Sequence, residues 1–223
     1  MIFSWLFNQT KSFLFKENKI ALIKELKIAG ITDNKILNAI KIIPREMFIK
    51  ESFKTEAYKN IPLPIDCGQT VSQPYIVAYM ISCLNLKEDS KVLEVGTGTG
   101  YQAALISYLC KEVCTIEIFS KLLNQAIKNI KKLNIKNVTF KLGNGIKGWN
   151  DGVLFDSIII SAKSKFIPNK LLNNLKDGGR LIMPKEYSSE NQKLVLVIKK
   201  GQDYLEKELL AVKFVNLLNQ DIN

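Results

Sequence analysis

Between residues 91 and 101 the chain reads Lys-Val-Leu-Glu-Val-Gly-Thr-Gly-Thr-Gly-Tyr. A short apolar run followed by three alternate glycines, Gly96, Gly98 and Gly100, predicts a strand that turns tightly into a helix. Glycine at such a turn adopts backbone conformations closed to other residues and lets the main chain approach a ligand closely. The helix that follows brings unpaired N–H donors to the same place. Such a unit belongs to a parallel sheet covered on both faces when strands and helices go on alternating.

Here they do alternate. Glu112 to Ile118 reads as a second strand, Lys121 to Leu133 as an amphipathic helix and Val138 to Leu142 as a third strand. Phe155 to Ser161 has the continuous apolar character of a strand buried on both faces. Pro168 to Leu175 predicts a helix and Arg180 to Met183 a fifth strand. Lys193 to Ile198 and Lys207 to Val215, joined across Gly201–Asp203, read as an antiparallel pair. Upstream, helical periodicity runs from Glu17 to Gly30. Asp33 can cap a second helix through Ile43, which Pro44 ends. Ile61 to Pro74 is too rich in proline and glycine to be regular, and Pro74 suits the first turn of a helix to about Asn85. The fold expected is α/β and Rossmann-like: a mostly parallel twisted sheet with an antiparallel C-terminal pair, plus N-terminal helices. Its stretches are an apolar extension over 1–16, N-terminal helices and a loop over 17–89, and the α/β core over 90–223.

Composition removes several chemistries. The 223 residues include no histidine, which excludes Ser-His-Asp and Cys-His catalysis and His-ligated metal sites. Cys67, Cys83, Cys110 and Cys114 form no C-x-x-C pair, so they read as buried packing residues in a reducing, cytoplasmic compartment, and no metal is expected. No apolar run approaches the roughly 20 residues that span a bilayer. The N-terminus lacks the basic region and cleavage site of a secretory signal. Trp5, Phe7 and Phe13 there are expected to pack on the domain or be partly disordered, with contact to a membrane surface as the alternative. The net charge of +11 suggests a nucleic-acid or anionic-membrane partner, but only Arg45 and Arg180 among the 32 basic residues are arginine. Lysine is the solvated cation and arginine the one suited to bidentate phosphate and base contacts. The charge is therefore read as a compositional bias, with the run Lys128 to Lys136 on an exposed helix face.

Two cofactor classes compete for the glycine loop. Gly98-Thr-Gly100-Tyr-Gln-Ala103 satisfies the dinucleotide fingerprint G-x-G-x-x-A, a weak signal alone. Glu94, two residues before Gly96, gives E-x-G-x-G-x-G, which resembles motif I of class I S-adenosylmethionine (AdoMet) methyltransferases. Glu117, 17 residues past Gly100 at the end of the second strand, can accept both ribose hydroxyls of either cofactor. Asp177-Gly-Gly-Arg-Leu181 resembles the glycine pair before strand five of these methyltransferases. The fingerprint also lies far into the chain, behind helices, and AdoMet is preferred.

The loop Gly68-Gln-Thr-Val-Ser-Gln-Pro-Tyr75 narrows the substrate. With Ile43-Pro-Arg-Glu-Met-Phe48, Leu63-Pro-Ile65, Gly96 to Ala104, Gly143-Asn-Gly145, Gly148-Trp149, Phe155-Asp156 and Ala211-Val-Lys-Phe-Val215, it closely resembles the protein-L-isoaspartate O-methyltransferase family over residues 20 to 217. The resemblance implies methyl transfer from AdoMet to the free α-carboxylate of L-isoaspartyl residues in damaged proteins and peptides, leaving S-adenosylhomocysteine (AdoHcy). The ester then re-forms a succinimide, whose hydrolysis returns some normal aspartate. The protein is expected to be a cytoplasmic monomer without nucleic-acid partners or stable membrane insertion. Alternatives are an AdoMet-dependent methyltransferase on another carboxylate or on RNA, and a non-catalytic AdoMet-binding protein.

A carboxylate is ionised at pH 7 and needs no general base. Alignment and desolvation can supply most of the acceleration. Ser72, matching the family's loop serine, is the catalytic candidate, as a donor that holds one carboxylate oxygen; its competing role is a helix N-cap. Gln69, Thr70 and Gln73 are loop-shaping candidates. Glu94, Gly96, Thr97, Gly98, Gly100, Glu117, Asn144 and Gly145 are the cofactor candidates. Asn144 stands where the family usually carries aspartate, which predicts weakened or rebalanced cofactor binding. Lys163 stands where the family commonly carries a small apolar residue; a cation there could attract the substrate carboxylate, but it is expected to snorkel to solvent.

Overall fold

A computed structural model describes residues 2–150 and 152–219, with side chains described from Leu14 onward. Helix α1 runs over Ile2–Ile28, starting well before the expected Glu17. The side chains of Trp5, Phe7 and Phe13 lie outside the described residues. Helix α2, Asn34–Ile42, is capped as expected by Asp33, whose carboxylate accepts from the Lys35 and Ile36 amides. Two short 3-10 turns follow, at Arg45–Phe48 and Glu51–Glu56. The irregular stretch beyond them holds a small antiparallel hairpin, β1 (Leu63–Pro64) with β2 (Thr70–Val71), turned at Cys67 and Gly68. Cys67 is exposed there, with a left-handed backbone (φ 58°), rather than buried like Cys110 and Cys114. Helix α3, Pro74–Leu84, opens on its proline as the sequence predicts.

The core alternates β3 (Lys91–Val95), α4 (Tyr101–Ser107), β4 (Glu112–Glu117), α5 (Ser120–Lys132), β5 (Val138–Leu142), β6 (Phe155–Ile160) and α6 (Asn169–Asn173). It ends with β7 (Leu175–Ser188), β8 (Asn191–Lys200) and β9 (Asp203–Ala211). The sheet order is β5-β4-β3-β6-β7-β8-β9, parallel from β5 to β7 and antiparallel from β7 to β9. The chain winds outward from β3 to β5, then returns across β3 to β6. That reversal leaves a crevice outside the carboxyl ends of β3 and its neighbours, the place where open α/β sheets bind ligands. One apolar cluster, including Leu93, Phe155, Ile158 and Leu181, fills one face; another joins Val92, Ile159 and Ile182 to the N-terminal helices through residues such as Ile40 and Met80.

Two C-terminal expectations are corrected. The Asp177–Gly179 turn does not precede the strand: β7 begins at Leu175 and bulges there, with Phe155 opposite Leu175 and Ser157 opposite Arg180. The last strand stops at Ala211, short of the expected Val215. Gln192 takes the chain out of the sheet, its carbonyl accepting from the Val212 amide (3.0 Å) and its side-chain oxygen from the Phe214 amide (2.7 Å). Residues 212–218 thus become a strap across the crevice. Lys128, Lys131, Lys132 and Lys136 are exposed, as the sequence predicts. No helix among the described residues is long and apolar enough to cross a membrane.

Candidate active site

The glycine loop is sewn to the end of β4. The Gly96 and Thr97 amides both donate to the Ile116 carbonyl, at 2.9 and 3.3 Å, and Thr97 Oγ1 lies 2.6 Å from Thr115 Oγ1. Gly100 has φ +94°, and a Cβ there would stand 3.2 Å from the Ala126 Cβ, so α4 can start this close to α5 only from glycine.

Glu117 closes this end of the loop. One carboxylate oxygen accepts from the Gly98 amide (2.7 Å), the other from the Ile118 and Phe119 amides (2.9 and 3.0 Å). Burial raises its pKa, and those three donors oppose the rise. Glu94 lies beneath the loop, fully buried. It accepts from the Thr115 hydroxyl (2.5 Å) and the Gln102 side-chain amide (3.1 Å). Burial raises its pKa to about 8, with Glu117 adding to the rise and the two donors opposing it.

A cavity opens above this floor. Gly96, Gly98, Glu117, Phe119, Leu122 and Gly145 form one wall; Gln69, Thr70 and strap residues Val215–Leu218 form the other. Glu94, Thr97, Gly100 and Asn144 stand behind the lining. Asn144 caps the short turn at Gly145–Lys147, its Oδ1 accepting from the Ile146 amide (3.0 Å), and its amide nitrogen lies 3.5 Å from Asn219 Oδ1. Gly145 packs so tightly that an added Cβ would fall 2.2 Å from Val95 Cγ1.

The hairpin loop meets the glycine loop across a small shared space lined by Thr70, Ser72, Gly96, Gly98 and Ser161. On its outer side lies a groove of about 450 Å³ bounded by Ser72, Gln73, Ile76 and strap residues Val212–Val215. Thr70 and Ser161 line both cavity and groove. The N-cap of α3 is Gln73, without a side-chain capping bond, so Ser72 does not cap the helix. The Ser72 hydroxyl makes no hydrogen bond among the described residues. Gln73 instead donates to the Asn60 carbonyl (2.8 Å), and Gln69 to the Cys67 carbonyl (3.1 Å), both shaping the loop.

Sequence reasoning missed two residues. The sequence gives Arg45 no role beyond its motif, yet its buried guanidinium donates to the Ser72 carbonyl at 3.1 Å. Its signal was its rarity, one of two arginines in a lysine-rich chain. Ser161 receives Gln102 at 2.9 Å and donates its amide to the Val95 carbonyl at 2.9 Å; nothing in the sequence marks it. Lys163 does not reach for solvent: its ammonium is 2.7 Å from Glu186, both side chains nearly enclosed. Among the described residues, no group of three His, Cys, Asp or Glu side chains is placed to hold a metal.

A sequence model of the family described as protein-L-isoaspartate(D-aspartate) O-methyltransferase (PCMT) matches residues 17–221. The chain is 48% identical to the protein-L-isoaspartate O-methyltransferase of Parvibaculum lavamentivorans over 188 residues, 83% of this chain and 85% of that one. A solved protein-L-isoaspartate O-methyltransferase is similar at TM-score 0.81 and 30% identity, covering 89% of this chain and 65% of that one. A beta-aspartate methyltransferase (PCMT) from Plasmodium falciparum, solved in complex with AdoHcy, is similar at TM-score 0.78 and 28% identity, covering 90% of this chain and 98% of that one.

Proposed function

The chain belongs to the protein-L-isoaspartate(D-aspartate) O-methyltransferase family, and from that premise we propose how its residues carry the reaction. The activity is AdoMet-dependent methylation of the free α-carboxylate of L-isoaspartyl residues in proteins and peptides, the step that starts their return to aspartate through a succinimide.

The lining suits AdoMet. Gly145 leaves a cradle that a Cβ could occupy only by displacing Val95. The Glu117 oxygen that accepts only the Gly98 amide keeps an acceptor position at the rim for a ribose hydroxyl, and Ile118, Phe119 and Leu122 offer an apolar wall for a base. When bound, AdoMet supplies an electrophilic methyl group on a sulfonium. Gly96 and Gly98 let the main chain come close to the aminoacyl end. Glu94, Thr97 and Gly100 act from behind the lining by fixing that loop. Asn144 acts likewise through its cap at Gly145, and its amide nitrogen, which an aspartate would lack, rebalances rather than abolishes cofactor binding.

The observation that carries the catalytic reading is the Ser72 hydroxyl, without a partner among the described residues, at the seam between cavity and groove. There it can donate to one carboxylate oxygen of a peptide lying in the groove and hold the other in line with the methyl group. No base is required, because the nucleophile is already ionised. Thr70 stands at the same seam, while Gln69 and Gln73 hold the loop's shape.

The reading includes a monomeric, cytoplasmic protein without a nucleic-acid partner. Scarce arginine and lysines scattered along the chain support the last of these, the absence of a nucleic-acid partner. Methyl-labelled AdoMet and two peptides differing only in isoaspartate versus aspartate test the substrate. Base-labile label is expected on the isoaspartyl peptide alone. Label on neither, with AdoHcy still bound tightly, would discard the substrate and direct the search to RNA and other carboxylates.

A further inference from the structure

We propose that the Lys163–Glu186 ion pair is a latch that sets the C-terminal strap, and through it both the cofactor cavity and the groove beside Ser72. The inference rests on the reading of that cavity given above.

Lys163 is held at both ends. Its amide donates to the Val215 carbonyl and its carbonyl accepts from the Leu217 amide, each at 2.8 Å, so the main chain grips the strap in a short parallel bridge. Its side chain runs the other way, to Glu186 near the end of β7 (2.7 Å). Glu186 is itself fixed, its amide donating to the Ser164 carbonyl (2.9 Å), while the Ser164 amide donates to the Pro184 carbonyl (3.2 Å). Three segments therefore meet at one point: the end of β7, residues 161–164 and the strap. The two side chains are 14% and 15% exposed, against 22% and 23% for the neighbouring pair Lys185–Glu206. Water screens so enclosed a pair poorly, and removing one member leaves the other uncompensated.

What the latch holds is the site. Ser161 and Ala162, just before Lys163, line the cavity, as do Val215–Leu218 on the strap. Val212–Val215 line the groove. Without the ion pair, residue 163, on which Val215 and Leu217 of the strap hang, would be tied to β7 only through the backbone bonds of its neighbour Ser164, while Gln192 holds the start of the strap. The pair is thus a positioning device, acting through the strap and not on substrate directly. Because Glu186 engages the ammonium, Lys163 is not a receptor for the substrate carboxylate.

The test compares Lys163→Ala, Lys163→Met, Glu186→Gln and the double reversal Lys163→Glu with Glu186→Lys. AdoHcy affinity is read by calorimetry, KM and kcat with isoaspartyl peptide, and amide exchange at Leu217. Each single variant is expected to raise the AdoHcy Kd and the peptide KM about 3- to 10-fold, with kcat nearly unchanged and Leu217 exchanging faster. The reversal is expected to recover most of the loss. Unchanged AdoHcy affinity and Leu217 exchange in Lys163→Ala would overturn the latch. So would faster exchange throughout the sheet with no recovery on reversal, the mark of a merely structural pair. A calorimetric and exchange effect in a protein that methylates neither peptide would uphold the latch and overturn the substrate reading instead.

Discussion

Arg45 donates to the carbonyl oxygen of Ser72 at 3.1 Å while its guanidinium lies 5.7 Å from the centre of the Tyr101 ring. Ser72 sits on the loop beside the groove, and Tyr101 directly follows Gly100, so one side chain braces both walls of the site. Its other donors reach the carbonyls of Ala57 (2.6 Å), Lys59 (3.3 Å) and Ile61 (3.0 Å). The partners are carbonyl dipoles, and burial lowers the guanidinium's pKa. A planar fork with five donors suits such a fan of acceptors.

Lysine at this position could satisfy part of the fan, and alanine none of it. Arg45→Ala is therefore expected to lower unfolding stability by about 3–5 kcal/mol, the cost of stranding buried polar groups. Arg45→Lys should recover only part of that. Urea midpoints measured at constant m-value check the order; an Arg45→Lys protein as stable as wild type would mean a single ammonium suffices.

Ser72→Ala should act on turnover more than on cofactor binding. Ser72 lines the groove but not the cofactor cavity, whereas Thr70 lines both. Losing one hydrogen bond to a charged oxygen costs about 1.5–3 kcal/mol, which is about 10- to 150-fold in rate. Steady-state kinetics should show that fall in kcat with the KM for AdoMet within about twofold. An equal rise in AdoHcy Kd would place Ser72 in the cofactor wall instead.

Much of this architecture is legible in the sequence because it is local. The strand, glycine loop and helix at 91–107, the Asp33 cap and the Pro74 start follow from neighbouring residues alone. Glu117 was identifiable from its spacing to Gly100. The strap was not, because its course depends on Gln192 and Lys163, which are distant in the chain. Apolar residues of strand-forming type continue through Val212, Phe214 and Val215 and so extend the expected last strand too far. Lys163 misled for a related reason: an isolated lysine reads as a solvated cation, and only tertiary contact brings Glu186 to it. Arg45 likewise serves carbonyls up to 27 residues away, which no spacing rule anticipates.

Glu94 should make stability depend on pH. Its folded pKa of about 8 lies above the usual glutamate value of 4.5, chiefly through burial. The folded state therefore binds more protons than the unfolded one between those limits. The resulting stabilisation is complete below pH 4.5 and is lost as pH rises through about 8. Glu94→Gln keeps the shape and removes the titration. Wild type is expected to lose on the order of a few kcal/mol relative to Glu94→Gln between pH 5 and 8.5. The comparison isolates Glu94 from Glu117, whose pKa is raised in the same direction. Parallel stability curves for the two proteins would show that Glu94 is ionised throughout.

Gly145→Ala probes the cavity from its most crowded point. The new Cβ would lie 2.2 Å from Val95 Cγ1 and 3.3 Å from Val95 Cβ. Val95 is β-branched, buried, and paired with Ile116 on one side and Ile160 on the other, so it cannot retreat without moving β3. The displacement must fall on the turn at Gly145–Lys147 and on the Asn144 cap that orders it. Overpacking of this kind costs about 1–3 kcal/mol. Because Val95 and Gly145 both line the cavity, part of that cost should appear as weaker AdoHcy binding as well as a lower unfolding midpoint. Calorimetry with AdoHcy separates the two effects. A destabilised protein with wild-type affinity would mean that the turn yields away from the cofactor, and that Gly145 serves packing alone.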